Sequence, residues 1–283
     1  GLRSPALREG AASPMPQRLS FLGTNVPYEE ARVVILGVPL ERTTSWRAGQ
    51  AQGPNAIRSA SDSVEFFSAI FKKDVRDAKI CDLGDLDPYR SFEEILAEEE
   101  AEVERILRDG KVPVILGGEH TVALPAVRAA KKFGPIQVLA LDAHSDLREE
   151  YLGLRVCHAT ALRRISEIAE NLVILGARSF FGPELSLPFF ADPQSFTRRL
   201  DPKIPVWLTL DLDALDPGLC PGVTNPEPGG LSWKEVLEVF QALKGFKVLG
   251  MDLVELAPIW DPSGVSAVCA AKLLIEAIAA FWA

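Results

Sequence analysis

The 283 residues are 47% hydrophobic and 24% charged, the balance of a soluble globular chain long enough for a sizeable core. A formal net charge of −9 argues against a nucleic-acid partner, whose phosphates need clustered Lys and Arg, and an acidic field favours cationic small molecules. The four cysteines (Cys81, Cys157, Cys220, Cys269) stand far apart, which excludes a disulfide framework or zinc knuckle and points to a reducing cytoplasm.

Residues 1–30 lack periodicity and read as an N-terminal arm lying on the body or on a neighbouring subunit; 1–18 hold no apolar block, so no signal peptide is expected. An apolar run with β-branched residues at 31–37 predicts a buried strand ending in Gly37, followed by a loop over 38–53 rich in Thr, Ser, Gly and Arg. Pro54 in a first turn starts a helix that runs through Ile57 towards Phe67. A short strand is predicted at 79–83. Ser91 and Glu94 form a capping-box pattern, behind which Ile95, Val103, Ile106 and Leu107 recur at helical spacing. Residues 111–116 predict a strand that ends at Gly117-Gly118-Glu119-His120, with a helix over 121–132. A strand over 136–141 runs into Asp142-Ala143-His144-Ser145-Asp146. A helix over 159–170 and strands over 172–176 and 206–210 follow, the last ending in Asp211-Leu212-Asp213. A helix over 233–243 behind a Ser232 cap, a strand over 248–256 and a long helix over 263–280 complete the chain. That last stretch is the most apolar, yet it carries Lys272 and Glu276 and so predicts a buried or interface helix rather than a membrane span.

Continuous apolar strands alternating with helices predict one α/β domain over 31–283, a mostly parallel sheet covered on both faces. In such sheets ligands collect beyond the carboxyl ends of the strands, and every polar cluster here sits at one. Asp142, His144 and Asp146 alternate, and in an extended backbone they would project from one face and converge. Buried together they repel one another and cost desolvation unless a cation sits between them. With His120, Asp211 and Asp213 the set offers two imidazoles and four carboxylates, a charge match for two divalent cations. The oxygen-rich mixture suits Mn²⁺ better than Zn²⁺. Two such ions about 3.5–4 Å apart can share a water and lower its pKa. Helix capping accounts for one or two of these aspartates and not for the set.

Several motifs in order carry a resemblance to the ureohydrolase family, which contains arginase and agmatinase. They are Gly37-Val-Pro-Leu-Glu-Arg-Thr-Thr-Ser-Trp-Arg-Ala-Gly49, Gly117-Gly-Glu-His120, Asp142-Ala-His-Ser-Asp146, His158-Ala-Thr160, Asp211-Leu-Asp-Ala-Leu-Asp-Pro217, Pro226-Glu-Pro-Gly-Gly230 and Glu255-Leu-Ala-Pro258. The resemblance implies a three-layer α/β/α fold and a binuclear manganese site held by His120, Asp142, His144, Asp146, Asp211 and Asp213. It implies hydrolysis of a guanidinium group to urea and an amine, by attack of a metal-bridging hydroxide on the guanidinium carbon. On the same ground Asp146 passes on the nucleophile's proton, His158 shuttles it to solvent, and Glu255 meets two guanidinium N–H groups side by side. Family members are commonly trimers or hexamers, so a homo-oligomer is expected.

Arginases resemble one another in a loop after Asp-x-His-x-Asp that offers Asn, Ser and Thr groups to the substrate's α-carboxylate and α-amine. Residues 147–156 contain none of these types, and their acidic pair Glu149-Glu150 suits a cationic tail. That points to agmatine, or to agmatine carrying an aminopropyl group, with a polyamine as product. Glu119 stands where Asp is commoner, Ala159 where Gly is usual, and Val223-Thr224-Asn225 where Thr-Gly-Thr is frequent. The last departure moves the hydroxyl expected to help hold the guanidinium to Thr224 or its role to Asn225. The rival readings are a guanidinobutyrate or arginine ureohydrolase, with Arg148 or Arg155 meeting a carboxylate, a two-metal phosphoesterase, and a non-catalytic metal-binding protein. Phosphate chemistry wants Lys or Arg aimed at the site, where only Arg148 adjoins the ligands, and a purely metal-holding chain has no need of His158 or Glu255.

Overall fold

A computed structural model of the chain describes residues 19–23 and 25–283. The strands in chain order are β1 (Val33–Val38), β2 (Phe67–Ser68), β3 (Lys73–Asp74), β4 (Ile80–Asp85), β5 (Val112–Gly117), β6 (Gln137–Leu141), β7 (Asn171–Leu175), β8 (Val206–Asp211) and β9 (Val248–Val254). The helices are α1 (Gly53–Ser61), α2 (Phe92–Arg108), α3 (Ala123–Lys131), α4 (Ala161–Ser166), α5 (Trp233–Leu243) and α6 (Val265–Phe281). Strands β2 and β3 form a small hairpin, and the other strands form one seven-stranded sheet in the order β4-β1-β5-β9-β8-β6-β7. Every neighbouring pair in it is parallel, as the alternation of strands and helices predicts.

Side chains along each central strand alternate between two cores. Leu139 and Leu141 of β6 join Leu208 and Leu210 of β8 beneath α5 and α6, a core that also takes in Ile57 of α1. Val138 and Ala140 face the other way, against Ile95 and Val103 of α2, Leu124 and Val127 of α3 and Leu162 of α4. Because both faces are buried, successive residues are apolar and the strands read as unbroken runs. Each fully buried Leu, Ile or Val contributes about 1.5–3 kcal/mol, which holds the three layers together.

Ends of elements are set by local hydrogen bonds. Ser91 Oγ accepts Glu94 N–H (3.2 Å) while the Glu94 carboxylate accepts Ser91 N–H (2.9 Å), the expected box at the start of α2. Helix α1 stops at Ser61 instead of running towards Phe67. The Ser61 hydroxyl donates back to Arg58 O (2.6 Å) and accepts Leu22 N–H (2.7 Å), so the chain entering from residues 19–23 occupies the space another turn would need. Phe21 and Leu22 are buried there, so this part of the predicted arm lies on the body, while residues 1–18 of it fall outside the described residues. The predicted helix over 159–170 is likewise shorter, a single 3₁₀ turn (His158–Thr160) and α4, closed by the Ser166 hydroxyl on Arg163 O (2.7 Å).

Helix α6 is buried on nearly all sides, and its Glu276 is met by Lys272 (3.4 Å) and the Ser68 hydroxyl. No helix among the described residues is long and apolar enough to cross a membrane. The carboxyl edge of the sheet is pinned where β5 meets the loop after β1: Gly118 N donates to Val38 O (2.9 Å) and Glu119 N to Leu40 O (2.8 Å). A Cβ on Gly118 would stand 2.0 Å from Leu40 O, a backbone atom that cannot turn aside. Gly118→Ala is therefore expected to cost about 1–3 kcal/mol, the usual penalty of overpacking. A thermal melt would read this as a fall in Tm of roughly 2–4 °C per kcal/mol in a chain of this size.

Candidate active site

Four central strands, β5, β9, β8 and β6, lie side by side and end at the same edge, and each delivers polar residues there. His120 opens the 3₁₀ turn after β5, Glu255 follows β9, Asp211 closes β8, and Asp142 follows β6. The aspartates turn the chain themselves. Asp142 Oδ1 accepts His144 N–H (2.6 Å), Asp211 Oδ1 accepts Asp213 N–H (2.9 Å), and Asp213 Oδ1 accepts Ala143 N–H (3.0 Å). The local turn at Asp142 and the tether from Asp213 to Ala143, rather than extended alternation, bring Asp142, His144 and Asp146 together, since β6 has already ended and Asp146 lies at φ +49°. Each of these bonds engages one carboxylate oxygen and leaves the other for the centre.

Two groups result whose ligand atoms lie within 4.8 Å of one another, His120 with Asp142 and Asp211, and His144 with Asp142 and Asp213. His120 Nδ1 stands 3.0 Å from Asp142 Oδ2, 3.1 Å from Asp146 Oδ2 and 3.4 Å from Asp211 Oδ2. All six residues predicted as metal ligands thus converge. His120 Nδ1 and Asp142 Oδ2 are buried and make no hydrogen bond. Burial, reinforced by the Asp146 and Asp213 charges, pushes the Asp142 carboxyl up to about 8. Burial and the charges of Asp213, Asp142 and Glu255 hold Asp211 well above its ordinary range. Burial works against a charged His144, yet Asp213 at 2.8 Å outweighs it and raises the imidazole to about 10. Orphaned buried donor atoms amid mutually repelling carboxylates are the setting a divalent cation satisfies, so the residues fit a binuclear metal site.

A second layer of hydrogen bonds sets which nitrogen His120 offers. His120 Nε2 lies 2.9 Å from Thr209 Oγ1, and that hydroxyl donates to Asp252, which also accepts Trp207 Nε1–H (2.6 Å). Thr209 therefore receives Nε2–H, and Nδ1 is left as a lone pair facing the carboxylates. Asn225 Nδ2 sits 2.9 Å from His144 Nε2; exchanging the amide oxygen and nitrogen would let Asn225 accept Nε2–H and free Nδ1 in the same way. Arg178 donates to Asp213 O (2.8 Å) and Glu227 O (2.6 Å), fixing the loop that carries Asp213.

Beside the cluster lies a cavity of about 210 Å³ lined by His144, Asp146, His158, Asp211, Asp213, Glu255, Thr224 and Asn225, and also by Tyr151, Phe180, Phe181, Arg148 and Glu184. Glu255, at φ +68°, is buried; its Oε1 accepts His120 N–H (2.8 Å), and its Oε2 accepts Gln50 Nε2–H (3.0 Å) and the Thr224 hydroxyl (3.0 Å). Arg47, stacked between Trp46 and Trp260, donates to Thr224 O (3.0 Å) and Val223 O (2.8 Å) and so holds Thr224 against Glu255.

The sequence profile of the arginase family matches residues 31–188 and 191–280. This chain belongs to the arginase family. An agmatinase of Halalkalibacterium halodurans is 35% identical over 278 residues, covering 90% of this chain and 94% of that protein. An N(1)-aminopropylagmatine ureohydrolase of Thermococcus kodakarensis is 35% identical over 272 residues, 89% of this chain and 91% of the relative. Among solved structures, an agmatine ureohydrolase of Thermoplasma volcanium matches with a TM-score of 0.84 at 31% identity, covering 93% of each chain.

The arginase-family resemblance drawn from the motifs is therefore met, as is the single α/β domain. The tail residues read from the sequence fare differently in space. Glu149 is engaged by Arg155 (3.2 Å), Arg163 (3.1 Å) and Arg164 (3.0 Å), and with the exposed Glu150 it lines a neighbouring cavity of about 390 Å³ rather than the one beside the cluster. Glu184, missed in the sequence, borders both cavities; its Oε2 accepts Ser145 Oγ–H and Phe181 N–H (2.9 Å), while Oε1 is buried without a partner. Thr209, Asp252 and Gln50 were missed as well. Removing the hydroxyl that fixes His120, by Thr209→Val, is expected to weaken divalent-ion affinity roughly 10–100-fold. Titration of the stripped protein with a divalent ion, followed by calorimetry, measures it; unchanged affinity would show that the ring is held without Thr209.

Proposed function

We propose that this chain is a manganese-dependent amidinohydrolase that releases urea from agmatine or N1-aminopropylagmatine and leaves a polyamine. The observation that carries this reading is the Glu255 carboxylate opening into the same cavity as both ligand groups. Oε1 of Glu255 accepts only His120 N–H, which leaves a lone pair for a planar guanidinium placed over the cluster. His120, Asp142, Asp146 and Asp211 would hold one cation, and Asp142, His144 and Asp213 the other. Bound there, the pair supplies a water acidic enough to attack at neutral pH, and the oxygen-rich donor set favours Mn²⁺.

The chain's own groups do the rest. Glu255 orients the guanidinium carbon towards the attacking water, Asp146 takes that water's proton, and His158 carries a proton between cavity and solvent so that the departing nitrogen leaves as an amine. Water adds to carbon, the C–N bond to the substituted nitrogen breaks, and urea and a protonated amine result. The unpartnered Oε1 of Glu184 supports an ammonium at the far end of the substrate, since a buried carboxylate oxygen gains most from a charged donor. Arg148 supports a second reading. It stacks on Tyr151 and Phe181 in the cavity lining and has no carboxylate partner among the described residues, which suits a substrate ending in a carboxylate, such as guanidinobutyrate.

A homo-oligomer, trimer or hexamer, and a cytoplasmic setting belong to the same proposal. Exposed Val265 and Val268 on α6 support the first, and four free, buried cysteines the second.

Urea release from agmatine, N1-aminopropylagmatine, guanidinobutyrate and arginine, with Mn²⁺ and after chelation, tests the proposal. The amine-ended pair should turn over fastest and chelation should abolish activity; preference for guanidinobutyrate would hand the tail site to Arg148. Glu255→Ala or His158→Ala should lower kcat by about 10²-fold or more with bound metal unchanged, and Glu184→Gln should raise KM for agmatine with little change in kcat. Loss of manganese from both the Glu255 and His158 variants would mean that these two residues serve the ions instead.

A further inference from the structure

His158 lies apart from the two ligand groups, and its ring is held by a chain of hydrogen bonds that leads back to a buried carboxylate. Glu119 is fully buried. Its Oε2 accepts Arg42 N–H (2.6 Å) and Thr43 N–H (2.8 Å), and its Oε1 accepts the hydroxyls of Thr121 (2.6 Å) and Thr43 (2.7 Å). With four donors converging on it, the carboxylate acts here as acceptor only. Thr43 has one hydroxyl proton, and Glu119 takes it. The lone pairs of Thr43 Oγ1 then face His158, whose backbone N–H lies at 3.1 Å and whose Nδ1 lies at 3.0 Å. Only a protonated Nδ1 can meet a lone pair, so the neutral ring keeps its hydrogen on Nδ1 and Nε2 is bare. The edge-on Tyr151 ring, 5.7 Å between centroids, flanks the imidazole.

We propose that Glu119 and Thr43 are positioning residues that fix His158 as the Nδ1–H tautomer, so that Nε2 is the atom through which protons enter and leave the cavity. The inference rests on the proposed role of His158 as proton carrier. One proton is accepted at Nε2, giving an imidazolium whose Nδ1–H stays on Thr43, and one proton is released from Nε2, so neither Glu119 nor Thr43 changes protonation. A free ring would spend part of its time with Nε2–H inward, unable to accept. Fixing the tautomer removes that fraction.

Three histidines in the whole chain make the tautomer directly measurable. In ¹⁵N-histidine-labelled enzyme loaded with Mg²⁺, long-range ¹⁵N–¹H spectra should show His158 protonated at Nδ1. Thr43→Val, which keeps both backbone bonds to Glu119 and leaves His120 untouched, should move the proton to Nε2 or set the ring exchanging. It should also lower kcat roughly 10–100-fold, with KM within about twofold and bound metal unchanged. Thr43→Ser, which returns the hydroxyl, should restore tautomer and kcat together. A wild-type His158 protonated at Nε2 would overturn the proposal without any variant, and so would a Thr43→Val enzyme with unaltered tautomer and kcat. Absence of urea release by the wild type would strike at the proposed function instead, and the spectrum would still decide how the ring is held.

Discussion

Four carboxylates packed against one another at the edge of a buried sheet are the constraint on which this molecule depends. Two such charges about 4 Å apart repel by roughly 4 kcal/mol at the effective dielectric of a protein. A whole domain is stable by only about 5–15 kcal/mol, so a few such pairs left uncompensated would consume it. The backbone amides that meet Asp142, Asp211 and Asp213 orient each side chain but add no net charge. Burial and neighbouring carboxylates push the Asp142 and Asp211 carboxyls above their ordinary range, the direction such crowding dictates. The edge of the sheet is built for positive charge, and Asp142, common to both ligand groups, ties the two positions into one unit.

Everything around that edge serves rigidity. Adjacent parallel strands hold the ligands in register from both sides, because each strand is packed on two faces and cannot shift without disturbing two cores. Thr209 and Asp252, paired across β8 and β9, aim His120 from beneath. Among the described residues only six other than glycine have positive φ, and Asp146 and Glu255 are two of them. Left-handed backbone at non-glycine residues costs energy and persists where packing overdetermines it. Here Glu255 N–H bonds to Gly118 O (2.8 Å), which ties the strained residue to the loop that carries His120.

The strands were legible because burial on both faces writes itself as unbroken apolar runs, and the convergence of His120, Asp142, His144, Asp146, Asp211 and Asp213 because so many charged and imidazole groups at strand ends have few other uses. Helix ends were less so. Ser61 and Ser166 close α1 and the α4 segment through hydroxyl bonds that a periodicity argument does not see. Thr209 and Asp252 sit inside strands, where one polar residue in an apolar run carries no hint of its partner on the next strand. Glu149 looked free in sequence because the arginines that engage it lie 6 to 15 positions further along and meet it only once α4 has folded back. Glu184 lies in a short 3₁₀ turn without a pattern of its own, and Thr43, though inside the Gly37–Gly49 motif, carries no hint there of its bonds to Glu119 and His158.

One hydrogen bond joins the two halves of the site. The backbone N–H of His120 ends on the same Glu255 oxygen that is left open to the cavity. Whatever engages that oxygen therefore pulls on the peptide that carries the His120 imidazole, and a shift of that imidazole is felt by the oxygen in turn. Under the proposed function, a guest at Glu255 and an ion at His120 would be thermodynamically linked, with a coupling equal in both directions. The protein is better pictured as one composite receptor for a guest and its counter-ions than as a scaffold with separate berths for each.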